Sequence, residues 1–129
     1  MIMTKEEKRL LLIDLCARLP YGVQCEIGGL RHGPYTFTGE DVEDLIAGRT
    51  FKPYLRPMSS MTDNERFELW KKTMQLALQS SLGLSEFVPN TVVPAAFEID
   101  YYNTHHFDYR GLIEKGLALE APEGMYETE

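Results

Sequence analysis

The residues best suited to catalysis lie in one stretch, residues 105–110, which read HHFDYR. A hydrolytic metal site needs imidazoles and a carboxylate that converge on one point and leave a position open for water. Adjacent histidines on a helix point about 100° apart, so His105 and His106 do not converge from one turn. The alternative is structural: His106 lies at a helix C-terminus, where its ring can bond the last carbonyls, and Asp108 caps the next turn. His106 and Asp108 are therefore the catalytic candidates, and neither a metal nor a cofactor is predicted.

Two arginines and a tyrosine are the candidates for binding a partner. The planar guanidinium of Arg56 or Arg110 could hold a phosphate or a carboxylate, or could pair with one of the 20 acidic residues of the chain. Tyr54 and Arg56 lie in residues 51–61, a stretch bracketed by prolines that should be extended. That stretch is either a crossing loop pinned to the core or a segment that also contacts a partner. Both readings stay open.

The remaining reactive residues carry no recognisable motif. The chain has no nucleophile elbow, phosphate-binding loop, zinc-ligand spacing or dinucleotide fingerprint. Cys16 and Cys25 are too few for a disulfide framework, and each lies at an apolar position of its predicted element. We expect both to be buried free thiols.

Charge and hydropathy narrow the classes of function. The 129 residues include 13 basic and 20 acidic side chains, for a net charge of −7. This charge argues against strong nucleic-acid binding, because phosphate neutralisation needs a basic surface, and the main basic concentration is Arg49, Lys52 and Arg56. The longest apolar run, residues 10–13, is far shorter than the roughly 20 residues of a membrane span. The acidic residues near the N-terminus do not fit a signal peptide, so we expect a cytoplasmic protein without membrane contact.

Elements that could position these side chains begin with a helix over residues 4–18. Thr4 and Glu7 have the spacing of a capping box, and Pro20 ends the helix. Its apolar face comprises Leu11, Leu12, Leu15 and Leu19. Alternating residues over 23–27 and 35–38 predict two strands of a hairpin. Residues 40–47 fit either a short helix that stops at Gly48 or a third strand.

The second half of the chain is predicted to be mostly helical. A long helix over residues 63–82 begins with a second capping box, Thr62 and Glu65. The periodicity places one of its faces in the core, with Trp70 at its centre, and this face comprises Phe67, Trp70, Met74, Leu78 and Ser81. A loop over 84–94 and a helix over 93–105 follow, and residues 120–129 should form a frayed acidic tail. The fold class is therefore α+β: one domain over residues 1–129, with a small antiparallel sheet packed against two or three helices.

Three stretches resemble a family of small uncharacterised proteins encoded by gut bacteria and their phages and prophages. They are DLCARLPYGV from Asp14, KPYLRPMSSMT from Lys52, and HFDYRGLIEKGLA from His106. The resemblance covers about a third of the chain and keeps the same order along it. It implies a cytoplasmic protein of a mobile element and brings no activity, cofactor or catalytic residue. It draws attention to Tyr54, Arg56, Asp108 and Arg110, because the matching stretches contain them.

Three functions remain as hypotheses. The first is a non-enzymatic accessory protein of a phage or mobile element that binds another protein or itself. The second is a small hydrolase or nuclease that uses His106 and Asp108. The third is a nucleic-acid-binding accessory protein that uses Arg49, Lys52 and Arg56.

Overall fold

Four α-helices and four short strands make up the part of the chain that the structure describes. The computed structural model describes residues 3–28, 33–81 and 92–126. The helices are α1 (Lys5–Arg18), α2 (Gly39–Ile46), α3 (Asp63–Ser81) and α4 (Val92–Thr104). The strands are β1 (Gln24–Ile27), β2 (Tyr35–Thr36), β3 (Phe51–Leu55) and β4 (Leu119–Glu120). The predicted α+β class is confirmed, while residues 82–91, which hold most of the predicted 84–94 loop, lie outside the described residues.

The strands form one sheet in the order β2-β1-β3-β4. β1 pairs antiparallel with both β2 and β3, as the hairpin prediction requires for the first pair. β4 runs parallel to β3, so the sheet is mixed and not purely antiparallel. The difference arises because β4 comes from the far end of the chain, after α3 and α4. Its direction was therefore not fixed by a hairpin turn.

β3 was not predicted as a strand, although its residues alternate between buried and half-buried. Pro53 occupies an inward position opposite Cys25 of β1 and takes the place of an apolar side chain. Proline cannot donate to a ladder, so it normally argues against an inner strand. Phe51 and Leu55 on either side of it are fully buried and hold the strand against the core.

The start of α1 and the end of α2 agree with the predictions from the sequence. In α1, Thr4 and Glu7 form the predicted capping box: the Thr4 amide donates to the Glu7 carboxylate at 2.9 Å, and the Glu7 amide donates to the Thr4 hydroxyl at 3.0 Å. Of the two predictions for residues 40–47, the helix is confirmed over Gly39–Ile46. It ends in a turn in which Gly48 (φ 111°) donates to the carbonyl of Leu45. Glycine suits that left-handed position because it has no Cβ.

The hydrophobic core lies between α1, α2, the sheet and the turn after Asp108. Its fully buried members include Leu11, Leu15, Val23, Cys25, Phe51, Leu55 and Leu112. Phe37 and Phe51 meet edge to face, with ring centroids 5.7 Å apart. Cys25 is buried as predicted, but the prediction for Cys16 is wrong, because that thiol lies on the exposed side of α1.

The predicted role of Trp70 in the core is wrong. α3 has the predicted start: the Thr62 hydroxyl accepts from the Glu65 amide, and the Glu65 carboxylate accepts from the Thr62 amide. However, the side chains of Phe67 and Trp70 are 59% and 58% exposed. The helix turns a different face inward at this end, where Glu65 is buried and its carbonyl accepts from the hydroxyl of Tyr101 on α4.

The predicted frayed tail does not hold for residues 120–126. The amide of Ala121 donates to the carbonyl of Leu55, which continues the β3–β4 ladder. The Tyr126 side chain then lies against β1 and β3. The prediction rested on four glutamates in residues 120–129 and overlooked the tyrosine among them that anchors this segment. Within the described residues, no helix is long and apolar enough to cross a bilayer.

Candidate functional site

The structure brings four of the five candidate side chains, all except Tyr54, into a single buried cluster around Phe107. An isolated parallel bridge joins Arg56, which follows β3, to Phe107. The Arg56 amide donates to the His106 carbonyl, and the Asp108 amide donates to the Arg56 carbonyl, both at 2.8 Å. Two stretches far apart in sequence therefore meet here through backbone bonds. We call this group the arginine cluster: Asp14, Arg18, Arg56, Glu65, residues 106–110 and Tyr126.

Arg56 is held on three sides. Its guanidinium donates to both carboxylate oxygens of Glu65, at 2.7 and 2.8 Å, and to the Ser60 carbonyl at 3.2 Å. The same group lies 4.1 Å from the centroid of the Phe107 ring, a distance suited to a cation–π contact. Every strong interaction of this guanidinium is thus made within the chain. Of the two readings left open for Arg56, the structure shows pairing with an acid.

Glu65 is the acid of that pair and also caps α3. Its Oε1 accepts from the Thr62 amide at 2.9 Å while both oxygens face Arg56. Burial alone would raise the pKa of the Glu65 carboxyl. The hydrogen bonds from Arg56 and Thr62, together with the Arg56 charge, outweigh burial and lower that pKa to about 2. The pair therefore stays ionised through the physiological range.

The Asp14 carboxylate on α1 accepts hydrogen bonds from two arginines. Arg18, four residues along the helix, donates to both of its oxygens at 2.9 and 3.1 Å, and the Nε of Arg110 donates at 3.0 Å. The Asp14 and Arg18 side chains are completely buried, whereas that of Arg110 is 23% exposed. Arg18 also donates to the Phe107 carbonyl at 2.6 Å. Arg110 is therefore paired with an acid, like Arg56.

Tyr109 completes this side of the cluster. The guanidinium carbons of Arg18 and Arg110 lie 5.6 and 4.7 Å from the centroid of its ring. Its hydroxyl accepts from Arg110 at 2.7 Å and donates to the side-chain oxygen of Asn103 at 3.0 Å. The ring thus links the loop after α4 to α4 itself.

His106 is buried in a left-handed backbone conformation, with φ at 62° and 4% of its surface exposed. Its Nε2 lies 3.0 Å from the Tyr21 carbonyl and must donate to it, which leaves Nδ1 as an acceptor. Burial and the nearby Arg18 charge lower the pKa of the imidazole to about 4. The ring stacks on Tyr126 at 4.1 Å between centroids. At neutral pH it is an uncharged packing element.

Asp108 has its carboxylate committed to the backbone. Its two oxygens accept from the amides of Leu112 and Ile113, at 2.8 and 3.0 Å. This places Asp108 as the cap of the following turn, as one of the two sequence readings has it. The turn ends at Gly116, whose φ is 76°, and it brings Leu112 and Leu117 into the core.

Tyr54 contributes its backbone to the site. Its carbonyl accepts from the Tyr126 hydroxyl at 2.7 Å, and the same hydroxyl accepts from the Gln24 amide at 2.8 Å. The Tyr54 side chain is half-buried and points away from the core face of β3.

Two clefts open beside the cluster. One of about 800 Å³ runs between the turn after Arg56 and residues 120–124, and one of about 300 Å³ lies between His106, Gln24 and Tyr126. The Arg56 guanidinium that borders both is already paired with Glu65. In the part of the chain that the structure describes, no three His, Cys, Asp or Glu side chains lie close enough to share a metal ion.

Sequence reasoning missed Asp14, Arg18, Glu65 and Tyr126 as members of the cluster. One local signal existed: Asp14 and Arg18 are four residues apart on α1 and flank Leu11 and Leu15, so an ion pair on the buried side could have been inferred. Tyr126 offered no such signal, because its partners lie 72 and 102 residues away.

Phe67 and Trp70 form a second feature, at the surface. They lie three residues apart on α3, and their ring centroids are 6.0 Å apart. Both are more than half exposed. A pair of large aromatic side chains in contact with each other and with solvent is unusual on a surface without a binding role.

The chain matches no protein-family model, no curated protein and no solved structure.

Proposed function

We propose that this protein is a non-catalytic, cytoplasmic accessory protein of a phage or other mobile element, and that it works by binding a second copy of itself through α3. The observation that carries the proposal is the exposed Phe67–Trp70 pair. Tryptophan is among the residues most enriched at the centres of protein interfaces, because its large rigid ring buries much area at low entropic cost. The mobile-element context comes from the resemblance described above.

Charge along α3 favours a second copy as the occupant. Asp63 lies four residues before Phe67 and Lys71 lies four residues after it, and all three side chains are exposed. In an antiparallel pair of α3 helices that cross at Phe67, Asp63 of each copy faces Lys71 of the other. Antiparallel packing also opposes the two helix dipoles favourably. The two-fold symmetry of such a pair is the commonest form of self-association.

The arginine cluster supports a binding role over catalysis. The carboxylates of Asp14, Glu65 and Asp108 and the guanidinium of Arg56 have internal partners. The His106 imidazole has its Nε2 bonded to a backbone carbonyl and is packed on Tyr126. These contacts assign both catalytic candidates, His106 and Asp108, a role in holding the fold together.

Sedimentation velocity over a range of protein concentrations tests the proposal. The wild-type protein should shift from monomer to dimer as concentration rises, and the double variant Phe67→Ser/Trp70→Ser should stay monomeric. Ile46→Ser, which removes another exposed apolar side chain from α2, should leave the dimer unchanged. Circular dichroism verifies that each variant is folded.

Charge variants test the antiparallel arrangement. Lys71→Asp places two acids face to face and should weaken the dimer, whereas Asp63→Lys/Lys71→Asp restores opposite charges and should recover it. A wild-type protein that remains monomeric at every concentration contradicts the proposal. A dimer that survives the loss of both aromatic side chains also contradicts it.

A further inference from the structure

A second cavity, remote from the arginine cluster, lies at the beginning of β3. It has a volume of about 530 Å³, within the range of small-ligand sites. Four parts of the chain form its walls: the start of α1, the turn after α2, Lys52 of β3, and the turn at residues 115–117. None of these residues belongs to α3.

Four cationic side chains line this cavity: Lys8, Arg49, Lys52 and Lys115. Each comes from a different wall, so the fold adds Lys8 and Lys115 to Arg49 and Lys52, which are three residues apart in the sequence. The three ion pairs found among the described residues use Arg18, Arg56 and Arg110. Within that part of the chain, none of the four cations therefore has a carboxylate within 4 Å.

The described lining of the cavity contains one acidic residue, Glu7, whose carboxylate accepts from the Thr4 amide at 2.9 Å. Glu26 is the cross-strand neighbour of Lys52 and is exposed. A chain with a net charge of −7 thus concentrates unpaired positive charge at this place. Such a concentration attracts anions against the field of the whole molecule.

Two tight turns hold the cations at the rim. After α2, Gly48 donates to the Leu45 carbonyl and Arg49 donates to the Asp44 carbonyl, which is the hydrogen-bond pattern of a Schellman cap. The turn after Leu112 has the same pattern: Gly116 donates to the Ile113 carbonyl and Leu117 to the Leu112 carbonyl. In both turns these carbonyls accept from backbone amides, so they do not compete with an anion for Arg49 and Lys115.

The floor of the cavity is apolar. Leu45 and Leu117 are core residues that reach the cavity wall, and Met3 closes it from the α1 side. A bare inorganic anion would leave this apolar surface unused. A ligand with a multiply charged head and an organic body fits both parts.

We propose that this cavity binds a small organic phosphate with at least two negative charges, such as a nucleoside polyphosphate. The phosphates contact Lys8, Arg49, Lys52 and Lys115, and the organic body lies over Leu45 and Leu117. Arg49 can hold a phosphate through two parallel hydrogen bonds, whereas the lysines act as point charges.

Isothermal titration calorimetry with ATP as the probe tests this site. ATP should bind the wild-type protein, with an affinity that falls as salt rises. Arg49→Gln/Lys52→Gln should weaken binding by roughly ten- to a hundredfold, because two charge-assisted contacts are lost. Lys72→Gln, which removes an exposed cation from α3, should leave the affinity unchanged. In an NMR titration, the amides of Gly48 and Gly116 should shift on addition of ATP.

Two further probes define the ligand class. Pyrophosphate carries the charge without the organic body and should bind more weakly than ATP. A 20-nucleotide single-stranded DNA should bind no better than ATP. Equal affinity for pyrophosphate would reduce the cavity to an adventitious anion site and overturn the proposal. Tighter binding of the DNA, an unchanged ATP affinity in Arg49→Gln/Lys52→Gln, or no ATP binding at millimolar concentration would overturn it as well.

Discussion

Asp14 is the residue on which the buried charges of α1 depend. One carboxylate, fully buried, accepts from both Arg18 and Arg110. Removal of one partner from a buried ion pair is costly because the remaining charge is left without water and without a counter-charge. Arg18 has no exposed surface through which it could be solvated instead.

Asp14→Ala should therefore lower the free energy of unfolding by about 3–5 kcal/mol. Arg110→Ala should cost much less, because its side chain is partly exposed and Asp14 keeps Arg18. Replacement of both members of the buried pair, as in Asp14→Leu/Arg18→Met, should be less damaging than Asp14→Ala, since the one charge left without its acid, Arg110, is partly exposed to water. Urea denaturation of the three variants measures these differences. An Asp14→Ala protein as stable as Arg110→Ala would contradict the role given to Asp14.

Candidate site residues could be located from sequence more easily than their partners could. The Asp108 cap is a local interaction over four and five residues, and the spacing indicated it. The choice between an acid and a ligand as the partner of Arg56 stayed open in the sequence. The partner in the structure is Glu65, nine residues after Arg56 in the sequence. The turn at residues 58–60, just before α3, brings the two side chains together. Arg110 and Asp14 are 96 residues apart, and only the packing of α1 against the 106–110 loop joins them.

At the scale of elements, the segment after β4 fastens two strands together. The Tyr126 hydroxyl accepts from the Gln24 amide of β1 and donates to the Tyr54 carbonyl of β3. Burial raises the pKa of this phenol to about 12, so it remains a donor. Its ring also covers His106.

Tyr126→Phe removes the hydroxyl and leaves the Gln24 amide and the Tyr54 carbonyl without this partner. The variant should lose about 1–3 kcal/mol of unfolding free energy, the cost of an unsatisfied buried polar group. Hydrogen exchange at the Gln24 amide should accelerate more than exchange elsewhere in β1. Tyr21→Phe is the matched control, because the Tyr21 side chain is 42% exposed. Unchanged protection of Gln24 in Tyr126→Phe would mean that the hydroxyl does not hold the strand.

For the whole molecule, buried titratable groups set the response to acid. The pKa of His106 is about 4 in the folded protein, below the ordinary value of 6.5 for the imidazole, so the unfolded chain binds the extra proton first. The stability contributed by neutral His106 is complete above pH 6.5 and is lost as the pH falls toward 4. The depressed pKa of Glu65 acts in the same direction at lower pH, between 4.5 and about 2.

The free energy of unfolding should therefore fall from pH 6.5 downward. His106→Asn should flatten the decline between pH 6.5 and 4, because asparagine does not titrate and tolerates the positive φ of this position. Glu65→Gln should flatten the decline below pH 4.5 and leave the upper window unchanged. Chemical denaturation at half-unit pH intervals measures both effects. A His106→Asn variant with the full wild-type slope between pH 6.5 and 4 would contradict the assignment.

Features that depend on neighbours within a few residues could be predicted from the sequence alone. The helices α1 and α3 begin after the predicted capping residues, and α1 and α2 end within two residues of Pro20 and Gly48. These signals are local because a cap or a stop is made by side chains three or four positions from the backbone group that they satisfy.

Packing of the whole chain determines which face of each element is buried and which distant residues meet. Trp70 has the helical spacing of a core residue, yet it is exposed, because α3 buries the side that carries Glu65 at this end. β3 is a strand despite Pro53 because it pairs with β1 and packs on the core. β4 forms because the chain, after α4, comes back alongside β3 and pairs with it. The arginine cluster and the cationic cavity likewise combine residues from elements spread along the whole chain. Such contacts are selected by the total burial and charge balance of the fold, which no short stretch of sequence records.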